Sequence, residues 1–141
     1  MWFMNHIFNA IVRWILLSPL HGLMSKNVLL IAFRGRKSGK EYMTPVQFSQ
    51  EGKEVWILVG FAEKKRWWHN LTGGATVRLF IKGKWQNGQA IVLRGEADRP
   101  VILAGLRLIF RKFPVYQKGY GEIDSSTFNV EDIVSVEVTL D

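Results

Sequence analysis

Two short stretches of the chain carry residue types that could do chemistry. The first, Gly35-Arg36-Lys37-Ser38-Gly39-Lys40, puts three cations and two glycines into six residues. Backbone N–H groups freed by glycine, together with Arg and Lys side chains, make an anion site of the kind phosphates occupy. The spacing is not that of a Walker loop, and no helix follows. Taken alone, the stretch reads first as a basic hairpin tip. The second stretch, Lys64-Lys65-Arg66-Trp67-Trp68-His69-Asn70-Leu71, couples cations to adjacent aromatics. Such mixtures suit stacked rings with negative tails, and equally nucleotides. Its plainer reading puts one Trp in the core and the other under a lysine stem.

Other chemistries are poorly provided for. The 141 residues contain no Cys, which excludes disulfides, thiolate metal sites and cysteine nucleophiles. His69 has no carboxylate near it in its segment, and His6 and His21 are distant in sequence, so no metal site is expected. No Ser-His-Asp arrangement is visible. Reactivity would therefore have to come from a bound cofactor.

Charge is unevenly placed within a net +7. Arg13, Lys26, Arg34, Arg36, Lys37 and Lys40 all precede the first acid, Glu41, whereas every charged residue after Lys118 is acidic. One basic and one acidic face follow. A basic face implies phosphate, carboxylate, nucleic acid or anionic lipid as partner. The acidic C-terminal run argues against nucleic acid.

The elements that must position these stretches can be read from periodicity. With 48% hydrophobic residues, six Trp and nine Phe, residues 1–141 suffice for one well-cored domain. From Trp2 to Leu17 apolar residues recur at helical spacing opposite Asn5, Asn9 and Arg13, which predicts an amphipathic helix ending at Ser18-Pro19. Those polar residues, and the lack of a small-residue cleavage site, argue against a secretory signal or a membrane span. The cytoplasm is the expected location, with peripheral attachment to anionic lipid through this helix as a further expectation.

Strands are predicted over Asn27–Phe33, Tyr42–Phe48, Val55–Gly60, Thr76–Ile81, Gln89–Gly95 and Ile133–Leu140. Pro45 should lie at an edge or bulge of its strand. Lys64–Leu71 reads as a short helix stopped by Gly73-Gly74. A turn over Lys82–Gly88, containing Asn87-Gly88, closes a hairpin. A helix runs from Arg99-Pro100 to about Phe113 with Leu103, Leu106, Phe110 and Phe113 on one face, and a loop continues to about Asn129. The fold class is mainly β (α+β), a barrel of about six strands with flanking helices.

Leu29–Val46, reading LLIAFRGRKSGKEYMTPV, followed by WWHNL at Trp67–Leu71, resembles the deazaflavin-dependent nitroreductase family, a branch of the split β-barrel flavin-binding proteins. The resemblance spans roughly Leu20 to Tyr120. It implies an oxidoreductase that uses coenzyme F420, a deazaflavin whose tail carries a phosphodiester and several glutamates. By position, Arg36, Lys37 and Ser38 would hold the phosphate region. Thr44 and Pro45 would line the ribityl and ring path, and Trp67 and Asn70 would shape the opposite wall. Lys64, Lys65 and Arg66 could track the glutamate tail, an electrostatic reading and not a family motif. The family often has an arginine where this chain has Tyr42. Relatives place C-terminal tyrosines over the substrate, and Tyr116 and Tyr120 are the candidates here, as catalytic residues that orient an acceptor and share a proton.

The implied reaction passes hydride to an electron-poor small molecule such as a quinone or nitro compound. Competing readings keep the fold but bind FMN, serve as a carrier without catalysis, or make the basic face a membrane or nucleic-acid surface. A homodimer is compatible with each.

Overall fold

The computed structural model describes residues 26–141; the predicted N-terminal helix, and the membrane contact expected of it, lie outside the described residues. Among these residues seven strands form one antiparallel sheet in the order β2-β1-β5-β6-β7-β4-β3. They are β1 (Val28–Arg34), β2 (Glu41–Gln47), β3 (Ser49–Glu51), β4 (Glu54–Leu58), β5 (Ala75–Ile81), β6 (Lys84–Arg94) and β7 (Val134–Leu140). The two strands at the ends of that order, β2 and β3, are separated in sequence by Phe48 alone. A sheet whose two ends are consecutive in the chain must curl until they approach, and the result is barrel-like. The predicted strand 42–48 is β2, and the short β3 that follows it was not expected from the sequence.

Inside the curl sit Leu29, Ile31, Phe33, Val55, Ile57, Val77, Leu79, Val136 and Val138, all buried. β7 shows the cause most plainly. Val134, Val136, Val138 and Leu140 alternate with Ser135, Glu137 and Thr139, the period-two pattern that turns one face to a core. β1 reads instead as a continuous apolar run because both of its faces are covered: Leu30 is as buried as Leu29 and belongs to a second, small cluster with Phe80. A third cluster lies where α1 (Arg99–Lys112) packs on the sheet through Ile102, Leu106, Ile109 and Phe110 against Trp56, Leu93 and Ile133. Gly105 permits that approach, since a Cβ there would fall 2.5 Å from Cε3 of Trp56.

Three expectations are corrected. The β5–β6 hairpin turns at Lys82-Gly83, both at positive φ (50° and 83°), as a two-residue primed turn requires. Asn87-Gly88 lies inside β6, where a Cβ on Gly88 would stand 2.7 Å from Cγ1 of Val138. That glycine answers to close packing in the barrel, not to a turn. The helix predicted over 64–71 is shorter, a 3₁₀ helix over Trp67–Leu71, and a separate 3₁₀ turn, Ala62–Lys64, precedes it. The loop after α1 contains a short helix, α2 (Val115–Tyr120).

Candidate functional site

The basic hairpin is closed by its own backbone. Gly35 N–H donates to Lys40 O (2.8 Å), Gly39 N–H to Gly35 O (2.9 Å), and the Arg34 guanidinium to Gly39 O (3.0 Å). Lys40 N–H donates to Ser38 Oγ (3.2 Å), which is also 3.1 Å from the Tyr42 hydroxyl. Gly35 is required by closeness, because a Cβ would meet Ser38 Oγ and Tyr42 Cε2, each at 2.8 Å. The amides of Gly35, Arg36, Gly39 and Lys40 are therefore committed within the protein, and the anion site expected from glycine-freed amides is reduced to side-chain charge. Arg36, Lys37, Ser38 and Lys40 are exposed. Neither Arg36, Lys37 nor Lys40 pairs with a carboxylate among the described residues.

The amide of Arg36 joins the two sequence stretches. It donates to Asn70 Oδ1 at 2.9 Å, while Asn70 Nδ2 donates to Trp67 O at 3.1 Å. Asn70 is thus a clamp between the hairpin and the Trp67–Leu71 turn. Behind it Trp68 is buried, with its indole N–H donating to Ala62 O at 3.0 Å, and Arg94 covers its ring at 4.9 Å. Trp67 is half-buried beside Phe33, ring centres 6.0 Å apart, and Phe33 in turn stacks with Tyr42 at 6.1 Å. The plain reading of the tryptophan pair holds for Trp68, which is core. Lys64, Lys65 and Arg66 are exposed.

β2 leads away from the hairpin along one end of the sheet, so Pro45 lies on an edge strand as its missing N–H demands. Thr44 pairs with Ile31 and Pro45 with Leu30, and successive strand residues face opposite sides. Thr44 therefore shares a face with Tyr42 and Val46, and Pro45 does not.

At the far end of β2, six residue steps or roughly 20 Å from Glu41, Gln47 accepts a hydrogen bond from the Tyr116 hydroxyl. Gln47, Leu58, Gly60, Phe113, Tyr116 and Tyr120 border a cavity of about 60 Å³. Burial, and secondarily the neighbouring Tyr116, push the Tyr120 phenol above its ordinary pKa. Gln47 and Gly60 were not foreseen. Only the docking of α2 onto the end of β2 gives them a role, and nothing in their local sequence signals it. A wider cleft of about 510 Å³, also unforeseen, opens where the β1–β5 ladder ends at Ala32–Arg78. The 2.7 Å ion pair of Arg78 with Glu41 stands at it.

Among the described residues no group of acids and histidines could hold a metal ion, and no helix is long and apolar enough to cross a membrane.

The family model of the F420H(2)-dependent quinone reductases matches residues 17–124. Among solved structures, one described as a domain-swapped dimer is 16% identical, with 96% of this chain and 98% of that chain covered and a TM-score of 0.60. An F420-H2 dependent reductase is 21% identical, with 80% and 94% covered and a TM-score of 0.56. The FAD and heme binding protein from Mycobacterium smegmatis is 16% identical, with 89% and 67% covered and a TM-score of 0.51. At these identities the likeness is one of fold. No curated protein matches the chain.

Proposed function

The chain belongs to the F420H(2)-dependent quinone reductase family, whose cofactor is coenzyme F420, and from that premise we propose that it reduces a quinone or similarly electron-poor acceptor at the cavity bordered by Tyr116 and Tyr120. The observation that carries this reading is the Arg36–Asn70 hydrogen bond. It fixes one basic segment against the other at the start of the strand whose far end meets the tyrosines.

The residues fit an elongated anionic cofactor. Arg36 and Lys37, exposed and without carboxylate partners among the described residues, would hold its phosphate region, with the Ser38 hydroxyl beside them. Lys64 and Lys65, exposed on the segment that follows Gly60, would draw the anionic cofactor toward the site by long-range attraction. Thr44, Trp67 and Asn70 would border the path between, with Pro45 contributing through the edge of β2. When bound and reduced, the deazaflavin supplies the hydride.

This chain's own residues supply position and protons. Tyr116, oriented by its bond to Gln47, would align the acceptor, and the Tyr120 phenol, which carries its proton at neutral pH, would share it with the oxygen that gains charge. Single-turnover oxidation of reduced F420 by menadione tests the proposal. Tyr116→Phe and Tyr120→Phe are each expected to slow the step by at least tenfold while the parent turns over. Parent rates in both variants would remove the tyrosines from the chemistry. A parent inert toward every quinone and nitro acceptor tried would leave a cofactor carrier.

A further inference from the structure

Phe61 is out of keeping with its surroundings. Its backbone is left-handed, φ 53° and ψ 46°, a conformation that crowds any Cβ and that bulky residues rarely adopt. Glycine, asparagine or aspartate would meet it at lower cost. Core packing does not explain the choice, because the residue is 74% exposed, and its described ring neighbour is the Lys64 ammonium at 6.0 Å. The backbone on either side is fixed. Gly60 borders the tyrosine cavity, Ala62 is buried and accepts the Trp68 indole N–H, and Phe61 O accepts from Lys64 N–H at 2.9 Å. A large flat ring is thus held out to solvent, in a strained conformation, one residue from the cavity.

The cavity itself is too small to enclose an aromatic acceptor. About 60 Å³ is room for a few water molecules, so a quinone ring could enter only in part and must be met by groups outside. Val115, adjacent in sequence to the cavity-lining Tyr116, is also 70% exposed. Strain kept at a site by its surroundings is a reason to look for a ligand there, and an aromatic ring favours a planar, electron-poor partner.

We propose that Phe61 is a specificity-determining residue, a stacking platform at the rim of the tyrosine cavity that selects planar acceptors of two fused rings. This rests on the reading above that the acceptor is reduced at that cavity.

The test compares the parent with Phe61→Gly and Phe61→Leu, using menadione (two fused rings) and p-benzoquinone (one ring). Phe61→Gly is expected to keep a Tm at or above the parent's, since backbone strain is relieved. It should leave F420 affinity within about twofold and raise the menadione KM about tenfold at nearly constant kcat, the size of one lost aromatic contact. The p-benzoquinone KM should move by less than about threefold. Phe61→Leu should show the same KM pattern without the gain in stability. A menadione KM unchanged in both variants overturns the proposal, as does a Tm loss of several degrees in Phe61→Gly, which would make the ring structural. Loss of F420 affinity would place the ring on the cofactor and also overturn it. Failure of the underlying reading is separable, because there the parent itself reduces neither quinone.

Discussion

Replacing Asn70 by alanine removes two hydrogen bonds at once, the one accepted from Arg36 N–H (2.9 Å) and the one donated to Trp67 O (3.1 Å). Each contributes roughly 0.5–1.5 kcal/mol net when lost together with its partner's satisfaction. Arg36 is exposed, so its freed amide can turn to water, and the lower half of the range applies: about 1–2 kcal/mol in total. For a chain of this length that lowers Tm by about 2–8 °C. The larger consequence is for the hairpin, which loses its tether to the tryptophan turn and must be ordered by the ligand instead, weakening F420 binding about 5–10-fold. Asn70→Asp separates the two effects. It keeps the acceptor for Arg36 but sets a negative charge beside the cations, so it should preserve Tm better than alanine, weaken F420 binding more, and recover affinity relative to the parent as salt screens that repulsion. Thermal melts and F420 fluorescence titrations at 0.05 and 0.5 M salt measure all of this. An alanine variant with parental Tm and an F420 affinity within twofold would refute the clamp.

Two predictions concern the scaffold. Glu137 faces out of β7, two residues before Thr139, which pairs with Glu54, and its carboxyl is pushed up to about 7 by partial burial and by the hydrogen bond and charge of Glu54. Because the folded state holds a proton that the unfolded chain releases near 4.5, the associated stability is present below that pH and is lost as pH rises through about 7. Tm should fall between pH 5 and 8, and Glu137→Gln should flatten the fall; an equally steep fall in the variant would dissociate Glu137 from it. Gly105→Ala should destabilise by about 1–3 kcal/mol through overpacking on Trp56, read as a lower urea midpoint at an unchanged m-value, and a midpoint at or above the parent's would show that the helix can shift to make room.

Much of the scaffold is legible in the sequence because it rests on strong local patterns. The alternation in Val134–Leu140 and the apolar run at Val28–Phe33 follow from which faces are covered. Of the helix face read as Leu103, Leu106, Phe110 and Phe113, Leu106 and Phe110 are buried, while Ile102 and Ile109 complete the buried face and Leu103 and Phe113 lie at its margin. Glycine was harder to read, since its two uses look alike in one dimension. Gly83 serves a turn and Gly88 a tight strand crossing, yet Asn87-Gly88 carries the stronger turn signature. α2 escaped because a six-residue helix containing glycine has too few turns to show a period. Of the candidate site, the sequence shows the segments and not the bonds. Both basic stretches were visible, but only tertiary contact reveals that Asn70 takes the Arg36 amide, that Gln47 takes the Tyr116 hydroxyl, and that the hairpin uses most of its own N–H groups.

The central claim is that the hairpin and the turn clamped to it hold the anionic part of coenzyme F420, and equilibrium titration of the parent and of the Arg36→Ala/Lys37→Ala variant with F420 and with FMN tests it most directly. The parent should bind F420 more tightly than FMN. The double variant should keep its fold and lose about 2–4 kcal/mol of F420 binding, at roughly 1.5–3 kcal/mol per bond to a charged group with incomplete additivity. FMN bound as tightly as F420, or a double variant with undiminished F420 affinity, would contradict the claim and leave the hairpin a solvated tip.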